Sequence, residues 1–303
     1  MTRNFAILVY LLFILPVVDT TKRYHPRSPG IFKNGYCFSG RMTVHVFDKG
    51  DISMKELSVG DLILTGSGHY EPVYAFGRYD KDAFAAYLQI ETTAGAEHAL
   101  EISGEHMLFL HGNENPVRAD SLVVGDVLLQ SSGDGKLSGG RATVIKITHV
   151  TRTGRFSPLT FDGTLVVNGI VTSSYIYMEG MEDVDLLKDR GGSFFHFAIS
   201  PFRFLCMAFH SNAFCETYTD EGIPHGLDIL MSLVRWIAGR SFPLKQLGML
   251  LYAIFAAFFS AIEWMVHVSP TIDEVVVVTA AFLSYNIHFA PIRIKNDNRR
   301  RNH

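Results

Sequence analysis

Cys37 carries a nucleophilic thiol, and Ser103-x-x-His106 brings a hydroxyl and an imidazole into one short motif. A cysteine thiolate can attack the carbonyl carbon of the preceding residue, here Tyr36, and replace the amide between them by a thioester. The departing amine must then be protonated by a group whose pKa lies near neutrality, for which histidine is the usual choice. Taken alone these are weak signals, because a lone cysteine is usually a small buried apolar side chain and Ser-x-x-His pairs are common by chance.

The segment that must position these residues, from Thr43 onward, has the pattern of an all-β fold. Short β-branched and aromatic runs are separated by Gly, Asp and Asn, as between successive strands. Residues 57–64 (LSVGDLIL) recur 65 positions later as residues 122–129 (LVVGDVLL). Such self-similarity indicates two homologous halves with pseudo-two-fold symmetry. The Ser-x-x-His spacing fits a turn before a strand over residues 107–110.

The motifs of this module resemble those of the Hint (Hedgehog/intein) family, and of the Hedgehog C-terminal autoprocessing domain in particular. In chain order they are Cys37-Phe38, the first Leu-Ser-x-Gly-Asp, Tyr70-Glu71-Pro72-Val73, Ser103-x-x-His106, the second Val-Gly-Asp, and Gly163-Thr164-Leu165-Val166-Val167-Asn168. No single motif is decisive, but six in the family's order make the resemblance strong. It implies a duplicated β architecture for residues 37–178.

The resemblance also implies roles for the candidate residues. The substrate would be the chain's own N-terminal peptide, cut at the bond between Tyr36 and Cys37 without a cofactor. In the family pattern the imidazole of His106 hydrogen-bonds the amide nitrogen of that bond. The hydroxyl of Ser103, where the family often has threonine, holds the same amide in a strained or polarised geometry. The thioester is then open to water, a thiol or another nucleophile.

The chain departs from Hedgehog proteins at the aspartate that assists sterol attack on the thioester. An ungapped alignment places Arg78 there, and an arginine cannot serve as a general base. Asp80 lies on the same strand face but about 7 Å along the chain, and it is the second-step candidate if the alignment slips. A sterol acceptor is therefore disfavoured relative to hydrolysis or another acceptor.

The N-terminal end predicts entry into the secretory pathway. Residues 5–18 form an apolar run of fourteen, too short to span a bilayer comfortably and typical of a signal-peptide core. We therefore expect a signal peptide over residues 1–20, although the basic cluster after the run would suit an uncleaved anchor. Residues 21–36 contain Pro and Gly without periodicity and form a linker ahead of the scissile bond.

Residues 179–240 are predicted to be an aromatic-rich extension. Its segment 194–209 could lie in a membrane interface or bind a hydrophobic partner, or it could pack on the β module. Cys206 and Cys215 are nine residues apart and could form a disulfide in an oxidising compartment, which would leave Cys37 as a free reactive thiol or in an intermolecular bridge. The alternative is that all three cysteines are reduced and inert.

Residues 241–303 are predicted to hold a transmembrane anchor and a basic tail. As a helix, residues 247–268 would span about 33 Å, enough for a bilayer, with a buried core helix as the alternative. Residues 275–290 are a second apolar stretch, and the sequence leaves open whether the chain crosses once or twice. With the β module lumenal or extracellular, membrane lipid is an expected partner.

Composition and residue spacing give no support for nucleic-acid binding or for a metal site. A net charge of −3, from 27 basic and 30 acidic residues, gives no reason to expect a nucleic-acid partner. His69, His98, His111 and His149 are dispersed and are not paired with cysteines or carboxylates at ligand spacing, so no metal site is expected. We expect a mainly β Hint-type domain followed by membrane-associated helices, acting as a single-turnover cysteine autoprotease. The alternative is a non-catalytic, membrane-anchored Hint-fold module for binding or signalling.

Overall fold

The computed structural model describes residues 38–113, 115–131, 140–176, 191–208 and 213–268. Several predicted features lie outside these residues. They are the signal peptide, the linker, Tyr36, Cys37, the second apolar stretch and the basic tail.

The described part of the chain between residues 38 and 176 is built from antiparallel strands, which confirms the mainly β prediction. Twelve strands join into one sheet with the path β4-β3-β1-β11-β12-β9-β10-β5-β6, while β2 pairs with β1 and β7 pairs with both β12 and β8. The strands are β1 Thr43–Val46, β2 Gly50–Ser53, β3 Leu62–Leu64, β4 Tyr70–Pro72, β5 Ala75–Thr92, β6 Leu100–Ile102, β7 His106–Leu108, β8 Val117–Arg118, β9 Val127–Gln130, β10 Gly140–Leu159, β11 Thr164–Val167 and β12 Ile170–Ile176.

The repeated octets form the same turn in both halves. Gly60 and Gly125 have φ values of 92° and 103°, a left-handed region that favours glycine. Asp61 and Asp126 each accept a hydrogen bond from the backbone N–H three residues before them, at 3.0 and 2.9 Å. The offset of 65 residues also relates the starts of β5 at Ala75 and β10 at Gly140, which lie outside the octets. The predicted duplication therefore extends well beyond the octets.

The two long strands, β5 and β10, hold the halves together. They pair antiparallel from Thr92 opposite Val144 to Ala75 opposite Leu159, with bulges along the way. Their inward side chains join those of both halves in one core, because a sheet folded on itself buries alternate residues. The core includes Phe38, Val44, Ile63, Phe76, Ile90, Ile102, Leu128, Phe156, Leu165 and Val167.

The extension after the β module is helical and packs on the module. Its helices are α1 Gly191–Ala198, α2 Ser200–Ala208, α3 Ala213–Glu216 and α4 His225–Ala238. A second buried cluster joins Ile199, Phe202, Cys206, Cys215 and Leu227 of the extension to Tyr74, Ala75, Leu159 and Tyr175 of the module. Cys206 and Cys215 are linked by a disulfide. The aromatic segment was expected to lie in a membrane interface, to bind a hydrophobic partner or to pack on the β module. In the structure its described residues pack on the β module.

Helix α5, Phe242–Val268, begins five residues before the helix predicted from the sequence. Among the described residues it is the one helix long and apolar enough to cross a membrane, over Pro243–Met265, and only 11% of its most apolar window is buried. The chain divides into two compact units, residues 1–257 and 258–303, and the division falls inside this helix.

Candidate active site

Ser103 and His106 lie at the turn between β6 and β7. The backbone N–H of His106 donates to the carbonyl of Ser103 at 3.2 Å, and β7 begins at His106. Both residues are buried. The sequence thus located the turn correctly, although β7 starts one residue before the predicted strand.

The imidazole of His106 has one nitrogen paired and one available. Nε2 lies 2.9 Å from the carbonyl oxygen of Ser173 on β12. Because a carbonyl only accepts hydrogen bonds, Nε2 must carry the hydrogen, and the neutral ring keeps its lone pair on Nδ1. Nδ1 is buried and has no hydrogen-bond partner among the residues that the structure describes. The ring therefore offers a base inside the module.

Phe38 fixes the chain beside this histidine. Its ring centroid lies 4.4 Å from that of His106, and its side chain is fully buried. Phe38 and Phe156 of β10 exchange both backbone hydrogen bonds, at 2.8 and 3.2 Å. Cys37 is bonded to Phe38, and Phe38 is held by backbone hydrogen bonds and contacts the imidazole. The chain therefore runs toward Cys37 from a fixed position beside His106.

Burial keeps His106 neutral at physiological pH. Loss of solvent lowers the pKa of the imidazole from 6.5 to about 4, and the hydrogen bond to Ser173 opposes this only in part. A neutral imidazole with a free lone pair can accept a proton from a thiol, whereas an imidazolium cannot.

The same burial predicts that stability falls in acid. The unfolded chain protonates this ring below about pH 6.5, while the folded chain does so only near a pKa of about 4. The stabilisation is therefore complete above pH 6.5 and is lost as the pH falls toward 4, by about 3 kcal/mol. Urea titrations of the detergent-solubilised Cys37→Ala chain at about pH 7 and about pH 4.5 measure the difference.

Two variants assign this loss to His106. His106→Gln should lose less stability on acidification than the parent, because the titrating ring is gone. His98→Gln removes an exposed histidine and should behave like the parent. An unchanged acid loss in His106→Gln would show that other groups cause it.

A buried polar cluster that was not predicted from the sequence lies beside the turn. The carboxylate of Glu101, 1% exposed, accepts hydrogen bonds from Ser39 Oγ at 2.5 Å and Arg152 Nε at 2.9 Å. The cluster ties the chain two residues after Cys37 to the strand that leads into Ser103. The sequence did contain a signal for a buried carboxylate, because Glu101 lies between the apolar residues Leu100 and Ile102 of β6.

Asp80, the second-step candidate, is held in an ion pair. Burial acts to raise the pKa of its carboxyl, but hydrogen bonds from Arg155 (2.6 Å) and from the N–H groups of Ala83 and Asp82 outweigh burial and leave the pKa below its usual value. Arg78, two residues earlier on β5, is buried, and its Nη2 lies 3.8 Å from the Glu221 carboxylate. The structure pairs these residues with other charges.

A turn of the extension docks on this part of β5. The N–H of Tyr79 donates to the carbonyl of Gly222 at 2.8 Å, and the Tyr218 ring stacks on the Tyr79 ring at 5.3 Å. Tyr79 in turn meets the Phe156 ring at 5.4 Å. The segment around Tyr218 therefore contacts the strand pair that holds Phe38. Within the described residues no cluster of His, Cys, Asp or Glu is arranged to hold a metal.

Comparison with known proteins gives one family. The family model for the Hint module matches residues 24–238. Warthog protein 6 of Caenorhabditis elegans is 27% identical over 235 residues, covering 74% of this chain and 37% of that protein. Sonic hedgehog protein of Danio rerio is 26% identical over 235 residues, covering 72% and 53%. The chain thus spans about half or less of the length of these relatives.

Solved intein structures also align with this chain. The gp41-1 intein covers 45% of this chain and 97% of its own, at 16% identity and a TM-score of 0.37. The Ssp DnaB mini-intein variant M86 covers 48% and 98%, at 13% identity and a TM-score of 0.40.

Proposed function

The chain belongs to the Hint family, and we propose that it cuts its own backbone between Tyr36 and Cys37 through a cysteine thioester. The observation that carries the proposal is the environment of His106. Its ring is neutral, its Nδ1 has no partner among the described residues, and it packs on Phe38, the residue bonded to Cys37.

In the first step His106 moves one proton. Nδ1 accepts the proton of the Cys37 thiol while the sulfur attacks the carbonyl carbon of Tyr36. The carbon–nitrogen bond then breaks, and the imidazolium returns the proton to the departing amine of Cys37. The product is a thioester between the Tyr36 carbonyl and the Cys37 sulfur, with atoms and charge balanced and no cofactor consumed. Burial lowers the pKa of His106 to about 4, below the near-neutral value expected from the sequence, so the imidazolium forms only as the sulfur attacks and then readily gives its proton to the amine.

Ser103 is assigned a positioning role in this step. It is buried at the turn whose geometry also sets His106, and its carbonyl accepts the His106 N–H. We propose that its hydroxyl holds the Tyr36–Cys37 amide out of its relaxed geometry, as the family pattern implies.

In the second step a nucleophile releases the peptide that ends at Tyr36. The carboxylate of Asp80 is engaged by the guanidinium of Arg155, so it is not free to act as a general base, and Arg78 cannot be one. We propose water, a thiol or another nucleophile that needs no carboxylate base, in preference to a sterol.

The protein is proposed to work in the secretory pathway with its β module lumenal or extracellular. The disulfide between Cys206 and Cys215 supports an oxidising compartment, since such bonds are rare in the cytosol. The apolar helix α5 supports attachment to a membrane.

Cys37→Ala tests the proposed cleavage against the alternative of a non-catalytic binding module. The expressed wild-type chain should lose a fragment ending at Tyr36, and added thiol should accelerate the loss, because it attacks the thioester. Cys37→Ala should stay intact under both conditions, as judged by intact mass.

Added thiol also reduces the disulfide, so a second variant is needed. Cys206→Ala/Cys215→Ala keeps Cys37 and should still show thiol-accelerated cleavage. Cleavage of the Cys37→Ala chain at the same bond would overturn the proposal, and stable wild type would favour the binding module.

A further inference from the structure

Helix α4 has one buried face and one exposed apolar face. Leu227 and Leu230 point into the cluster that joins the extension to the β module. Ile229, Leu233 and Trp236 are 60%, 44% and 59% exposed. Spacings of four and seven residues place these three side chains on one side of a helix. A contiguous exposed apolar stripe of this kind marks a surface that contacts a membrane or a partner.

The first half of α5 continues this apolar surface. Only three residues separate α4 from α5. At Gly248 an added Cβ would lie 2.7 Å from Ile237, so the two helices touch there. The exposed apolar side chains of this half of α5 are Leu244, Leu247, Leu251, Ile254 and Phe255.

The same half of α5 is fixed to the extension by polar contacts. The hydroxyl of Tyr252 donates to the carbonyl of Ala198 at 2.6 Å, and Ser200 Oγ donates to the carbonyl of Ala256 at 2.8 Å. These contacts lie about 15–20 Å along the helix from its start. The first four turns of α5 are therefore part of the folded extension and do not form a free-standing span.

Basic side chains border the apolar surface. Arg240 lies over the Trp236 ring at 3.8 Å, Arg235 is exposed and pairs with Asp228, and Lys245 is half-buried one turn into α5. Tryptophan beside arginine and lysine at the edge of an apolar face is typical of the membrane interface, where the cations meet lipid phosphates.

We propose that α4 and the first half of α5 together rest in one leaflet of a phospholipid bilayer. The helical extension is then seated in the membrane surface, with the α4 stripe immersed by about 5–10 Å. If the module were attached to the membrane only through α5, α4 would lie in water. This inference does not depend on self-cleavage.

The two tryptophans of the chain allow a direct test. Trp264→Phe leaves Trp236 as the single fluorophore in the full chain, reconstituted in vesicles of phosphatidylcholine and phosphatidylglycerol. Relative to the same chain unfolded in urea, the emission of Trp236 should shift to the blue and should resist quenching by iodide. Replacing the lipid by one brominated high on the acyl chain should remove most of the emission.

A matched pair of variants checks that the stripe is responsible. Leu233→Asp should expose Trp236 to iodide, whereas Ser232→Asp, one position away on a polar exposed site, should not. Iodide quenching with no effect of brominated lipid would place α4 in water and overturn the proposal. Protection from both quenchers would show that a second copy or another protein covers the stripe, which also contradicts it.

Discussion

His106→Ala is expected to slow thioester formation by about 10²–10⁴-fold, the usual contribution of a positioned general acid–base group. In the proposed mechanism the imidazole both takes the thiol proton and returns it to the amine. Its ring packs on Phe38, and its Nδ1 has no hydrogen-bond partner among the described residues. The rate is measured as thiol-induced loss of the N-terminal fragment over time, by intact mass.

Alanine also removes the hydrogen bond to Ser173, so a fold defect must be separated from a chemical one. His106→Gln can still donate to the Ser173 carbonyl but has no basic nitrogen, and we expect the same loss of rate with a thermal unfolding profile near that of wild type. His98→Gln, at an exposed site, should cleave normally. Normal cleavage by His106→Gln would refute the proton-transfer role.

Phe38→Ala is expected to destabilise the β module by about 3–5 kcal/mol, as for other buried aromatic residues cut back to alanine. The ring is fully buried in the core, and its loss opens a cavity next to the imidazole. The free energy of unfolding is best measured by urea titration in the Cys37→Ala background, where cleavage cannot change the species.

The exposed Phe84, at 76%, supplies the matched control, and Phe84→Ala should shift the urea midpoint little. In chains with Cys37 intact, Phe38→Ala should also cleave more slowly, because the residue bonded to Cys37 is no longer held against His106. Equal stability of the Phe38 and Phe84 variants would mean that Phe38 does not anchor the core.

The duplicated fold was predictable because its signal is local and repeated. Each octet carries its own turn chemistry, with Gly60 or Gly125 in the left-handed region and an aspartate that closes the turn. The turn at Ser103 and His106 was predictable for the same reason. Local patterns specify local structure, and a motif repeated at a fixed offset then gives the symmetry.

The remaining features depend on contacts between distant residues. Ser39 and Glu101 are 62 positions apart, and nothing in either local pattern indicates that β6 faces the start of the module. The turn around Tyr218 docks on Tyr79 because the backbone N–H of Tyr79 donates to Gly222 and the two tyrosine rings stack. These contacts exist only in the folded chain and could not be predicted from local patterns. The aromatic segment of the extension fitted both a membrane interface and a core, because both bury apolar area.

The most direct test of the central claim is the N-terminal sequence and intact mass of the purified wild-type chain. Self-cleavage predicts a mature form that begins at Cys37, produced faster in the presence of excess thiol. A chain that retains an intact bond between Tyr36 and Cys37 after prolonged treatment with excess dithiothreitol would contradict it.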